Sequence, residues 1–170
     1  GGGDLDNGWS VGLSIAVANA GAYSNTNITV GIPGVGDIRF DQGVSGTGIM
    51  RMDDMTPTAW EEADGAGLSA GINKITGTSA GPTIEVTPSG LPAGLTARFA
   101  WSPDSDAGTT TGDKASGGSS GVQDSGYDVT LEASSDLHGI DGLSVYGGLS
   151  NVDQFQNASG VNGDKEETVI

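Results

Sequence analysis

An all-β chain, folded as an up-and-down antiparallel sheet, is what this sequence predicts, and three observations carry the prediction. Apolar residues recur at every second position in one segment after another, the period of a strand with two unlike faces. The connections between these segments alternate between short and long. Glycine makes up 31 of the 170 residues, more than twice the roughly 7 per cent usual in soluble proteins, which argues against a helical protein. A meander with tight turns at one end and large polar loops at the other is the build of a transmembrane β-barrel of the outer-membrane kind.

The elements follow in chain order. Residues 1–4 read as a loop, candidate strands cover 8–18, 27–32, 36–42, 82–87, 94–102, 126–134 and 143–151, and 166–170 reads as a further strand just beginning. In the first, Trp9, Val11, Leu13, Ile15 and Val17 share one face and Ser10, Gly12, Ser14 and Ala16 the other. The same split recurs in Ile28, Val30 and Ile32, then Ile38 and Phe40, then Ile84 and Val86. It continues in Leu95, Phe99 and Trp101, then Tyr127, Val129 and Leu131, then Leu143, Val145 and Leu149. The opposite faces carry Asp37, Arg39 and Asp41, then Glu85, Arg98, Asp128 and Glu132.

The short connections are 33–35, 88–93 and 135–142. Each holds turn residues: Pro33-Gly34 suits a type II turn, and Pro88-Ser89-Gly90 and Gly139-Ile140-Asp141-Gly142 are equally turn-prone. The intervening connections 19–26, 43–81, 103–125 and 152–165 are polar, acidic and rich in Gly and Ser. Trp9, Trp101 and Tyr127 fall at or near strand ends, where an aromatic girdle would meet a membrane interface. Alternation by itself fits a soluble β-sandwich equally well, since one sheet face packs and the other meets water.

The connection 43–81 is too long for a passive hairpin. It holds Asp53, Asp54, Glu61, Glu62 and Asp64 against Arg51 and Lys74. Thr58, with Pro57 before it and Glu61 three residues on, reads as a short helix start. Ile49, Met50, Met52, Met55 and Trp60 would be wasted in water. A loop folded inward would bury those apolar residues against the wall and leave its carboxylates lining the remaining opening.

The order strand, Pro-Gly turn, strand Gly36-Asp37-Ile38-Arg39-Phe40-Asp41-Gln42-Gly43 and long acidic loop resembles the general porins of Gram-negative bacteria, in particular their glycine-rich proteobacterial type. The segment Arg51-Met52-Asp53-Asp54-Met55-Thr56-Pro57 is similar to the inward-folded constriction loop of that group. The likeness is architectural over nearly the whole chain, with its specific motifs confined to residues 28–64. It implies a single barrel domain over 1–170, truncated at both ends and amounting to about half of a ~16-stranded barrel. It further implies an outer-membrane location, contact with lipid and lipopolysaccharide, a homotrimer, and passive diffusion of small hydrophilic solutes and ions. Carried onto this chain, the constriction comprises Asp53, Asp54, Glu61, Glu62, Asp64 and Arg51, faced by Arg39 and Arg98 of the wall. Ten acids against four bases at the visible lumen and loop positions predict a preference for cations. The other class that the residues allow is a soluble, secreted all-β adhesin or a module binding calcium or a surface.

Composition narrows the remaining classes. With 22 acids, six basic residues and a formal net charge of −16, the chain repels phosphate backbones, which excludes nucleic acid as a partner. Without cysteine it has neither a disulfide framework nor a thiolate metal site. No enzyme activity, cofactor or metal is expected. Gly67-Leu68-Ser69-Ala70-Gly71 and Gly77-Thr78-Ser79-Ala80-Gly81 both match the G-x-S-x-G nucleophile pattern. That chemistry needs a His partner, and the single histidine, His138, belongs to a tight turn at the opposite rim. Adjacent Asp53-Asp54 and Glu61-Glu62 do not oppose one another across a substrate as glycosidase carboxylates must.

Overall fold

The structure, a computed structural model, describes residues 1–17, 23–42, 46–52, 55, 77–105, 123–154 and 165–170. Nine strands form one antiparallel sheet in simple sequential order, each paired with its chain neighbours. They are β1 (Gly2–Asp4), β2 (Ser10–Val17), β3 (Tyr23–Ile32), β4 (Gly36–Asp41), β5 (Thr83–Pro88), β6 (Leu95–Ser102), β7 (Gln123–Ala133), β8 (Val145–Gln154) and β9 (Lys165–Val169). A one-turn helix, α1 (Ser135–His138), and two 3₁₀ turns at Gly48–Met52 and Gly77–Ala80 are the other regular elements among the described residues. The sheet is open: β1 and β9 are its edges and do not pair with each other.

The seven expected strands and the one beginning at 166, here β9, are all present, with three differences. Residues 1–4, read as a loop, contain β1, in which Gly3 pairs with Val11 and Asp4 with Ser10. Backbone pairing alone makes this strand, and glycine leaves no periodicity to read. β3 starts at Tyr23 rather than at position 27, because Tyr23, Asn25 and Thr26 continue the ladder opposite Val17, Ala16 and Ile15, across a register shift at Ala16 and Val17. The third short connection contains α1, closed by Gly139 in the left-handed region at φ 76°. The tight turns otherwise follow their chemistry: Gly34 has φ 76°, and the Val35 N–H donates to the Ile32 carbonyl at 3.0 Å. Ser134 N–H donates to Gly94 O at 2.8 Å, tying two adjacent turns together.

Register aligns the side chains into rows across the sheet. One row runs Leu13, Ile28, Phe40, Ile84, Trp101, Tyr127; its neighbour on the same face runs Val11, Val30, Ile38, Val86, Phe99, Val129, Leu149. The opposite face carries the row Thr29, Arg39, Glu85, Ala100, Asp128, Ser150, Glu167. The apolar rows are the exposed ones: Ile28, Phe40, Phe99, Trp101, Tyr127 and Leu149 each show 41–49 per cent of their surface. The polar face is the covered one, with Asp41, Thr83, Glu85, Asp128, Thr130 and Ser150 all buried. This inverts a soluble sheet, in which the apolar face packs and the polar face meets water.

Candidate functional site

Part of the polar face is covered by the described turns of the long connection. Its first 3₁₀ turn, Gly48–Met52, follows β4, and its second, Gly77–Ala80, leads into β5. Both lie over β6, β7 and β8. Ile49 and Met52 are 0 and 2 per cent exposed there. The sheet makes room for them with small residues. A β-carbon on Gly148 would come within 3.1 Å of the Met52 sulfur and 3.2 Å of Ile49 Cγ1, and Ala100, between Glu85 and Asp128 in the row, is wholly buried.

Three carboxylates of a single row of the sheet hold the two turns by their backbone. Glu85 accepts the Gly48 N–H at 2.8 Å and the Arg51 Nε–H at 3.1 Å, and its other oxygen pairs with the Arg51 guanidinium. Asp128, with no exposed surface, accepts the Ile49 N–H at 3.0 Å, the Thr78 N–H at 3.1 Å and the Thr78 hydroxyl at 3.0 Å. Glu167 accepts the Gly77 N–H at 2.6 Å. Bonds to an ionised acceptor are the strong class, and a buried carboxylate is tolerable only when saturated in this way. Gly48 and Gly77 have φ of 55° and 50°, and a β-carbon on either would collide with the Asp128 carboxylate. Both glycines are demanded twice, by conformation and by approach.

The predicted site residues divide accordingly. Arg39, Arg51 and Arg98 are described and are paired with carboxylates. Arg39 bonds Asp41 at 2.8 Å, Arg51 bonds Glu85, and Arg98 bonds Glu132. Arg39 and Arg98 thus carry local partners on the sheet instead of standing as bare charges. Asp53, Asp54, Glu61, Glu62 and Asp64 lie outside the described residues, as do Lys74 and the helix start at Thr58. Glu85 and Asp128, expected as lining charges, are anchors for the loop. Glu167 and the glycine pair are additions that the residue pattern did not single out.

No family model, curated protein or solved structure matches this chain.

The second G-x-S-x-G match falls in the docked turn Gly77–Ala80, with Ser79 buried against Met50. His138 sits in α1 at the other rim, its Nδ1 accepting the Ile140 N–H at 3.1 Å, which is turn chemistry and not that of a base aimed at a serine. Among the described residues no three His, Asp or Glu side chains gather where they could hold a metal ion.

Proposed function

We propose that the chain is part of an outer-membrane porin. In this reading the exposed apolar face meets lipid, the polar face lines a water-filled channel for passive diffusion of small hydrophilic solutes and ions, and the docked loop narrows the passage. One observation carries it: the two described turns of the long loop are seated on the polar face while the large apolar side chains lie exposed on the other. A contiguous exposed apolar face of this extent on a soluble monomer would be an aggregation site, whereas against lipid it is stabilising.

Three further features support the reading. β3, β7 and β8 have 10, 11 and 10 residues, the length at which a tilted strand crosses a membrane. β4 and β5, six residues each, are the strands from whose ends the loop turns inward. The apolar band also slides along the strands. In the row begun by Leu13 it ends at Tyr127 and gives way to Asn151 and Glu166, while on β7 and β8 Leu131 and Val145 extend it toward the tight turns. Strands tilted to a membrane plane produce that drift. No helix among the described residues is long and apolar enough to cross a membrane, so strands would do the crossing.

Selectivity in such a channel follows from the charge that local pairing leaves over. The three described arginines of the inner face and docked loop each meet a carboxylate, Asp37 on the same face is exposed, and the formal charge is −16, so the passage prefers cations. The trimer, and contact with lipopolysaccharide, rest on the family resemblance. The test is incorporation of the protein into planar bilayers under a salt gradient. Stepwise ohmic conductance with a cation-selective reversal potential is expected; a protein that is monomeric and stable in plain buffer would overturn the porin reading in favour of a soluble adhesin.

A further inference from the structure

Away from the docked loop turns, the inner wall holds a cavity of about 150 Å³ beside the tight turns of β6, β7 and β8. Its floor is one cross-strand row: Thr96 pairs with Glu132, and Glu132 with Tyr146. Ser134 and Ser144 close the tight-turn side, and Met55 lies against it from the loop. Glu132 spends Oε1 on Arg98, which fixes the carboxylate in place. Its other oxygen, and the hydroxyls of Thr96, Ser134, Ser144 and Tyr146, have no hydrogen-bond partner among the described residues.

We propose that this cavity is a binding subsite for a small uncharged polyhydroxylated solute, of the size of one sugar ring. The chemistry is that of the lining. An oriented carboxylate oxygen accepts from a pair of adjacent hydroxyls, four protein hydroxyls donate or accept around the ring, and the Tyr146 and Met55 side chains give its less polar face a surface to lie on. Glu132 is already neutralised by Arg98, so the site offers an organic cation little electrostatic gain. The proposal rests on the channel reading only in that this face meets solute. Under that reading the subsite stands at the tight-turn mouth, displaced from the docked loop turns, and gives a simple diffusion pore a weak, saturable preference.

The three methionines of the chain make the test direct. The protein in detergent micelles, labelled with ¹³C at the methionine methyls, is titrated with glucose and separately with choline. The Met55 resonance should move saturably with glucose in the millimolar range, while buried Met52 stays fixed and reports an intact fold. Glu132→Gln and, independently, Tyr146→Ala should each weaken the response about tenfold. A Met55 signal unmoved by glucose, or one that responds to choline and not glucose, overturns the proposal. Conductance is read separately. A channel without the glucose shift removes the subsite and leaves the porin, and a shift without conductance removes the porin and leaves the subsite.

Discussion

Asp128 shows what a single residue does in this fold. Its carboxylate gathers two backbone amides and a hydroxyl from loop segments 79 and 50 residues away in sequence, so one strand position holds both described turns of the loop. An amide in its place retains one acceptor and presents two donors toward groups that themselves donate. Asp128→Asn should therefore weaken loop docking by about 2–4 kcal/mol, read as faster hydrogen exchange at the Ile49 and Thr78 amides with the outer strands unchanged. Gly48→Ala and Gly77→Ala should each cost on the order of 1–3 kcal/mol from backbone strain, with the carboxylate clash adding to it. Gly46→Ala, where a β-carbon meets nothing within 4 Å, should be near neutral in the same thermal unfolding series. None of this was legible from residue order. The sequence places Asp128 on the polar face, but its partners are main-chain groups, and every residue has those. The acids that did stand out, from Asp53 to Asp64, did so by clustering, and a docking acid need have no acidic neighbour.

At the scale of the strand and the turn, the residue pattern carried much further. Alternation located seven strands because each has two chemically different faces, and Gly34 in the turn after β3 and Gly139 at the end of α1 follow from conformational necessity. β1 escaped because Gly2 and Gly3 have no side chains to alternate. What alternation could not supply is the sign, which face is covered, since period two is the same whichever face packs. The docked turns supply it by covering the polar face. The sign can be tested at Phe99, central on the outward face and 46 per cent exposed. In a lipid-facing wall, Phe99→Arg should cost about 2–4 kcal/mol of folding stability in bilayers, measured by urea titration in lipid vesicles. In a soluble sheet the same exposed position should tolerate the change within about 0.5 kcal/mol.

For the whole molecule the proposed channel makes the balance of charge along its passage the decisive quantity. Paired charges a few ångströms apart present a small dipole to a passing ion, while an uncompensated charge in a narrow, poorly screened channel acts at long range. Arg98 and Glu132 form such a pair on the polar face, with 18 and 25 per cent of their side chains exposed. Removing only the cation should therefore unmask a carboxylate. Arg98→Ser is expected to move the reversal potential in a salt gradient further toward cation selectivity, by on the order of twofold in permeability ratio. Glu132→Gln leaves Arg98 without its partner and should move it the opposite way. The double substitution Arg98→Ser with Glu132→Gln should return close to the starting value, because it deletes a dipole and not a charge. Equal shifts in both single variants would mean that the changes act on pore size, and no shift in either would place this face of the sheet outside the conduction path.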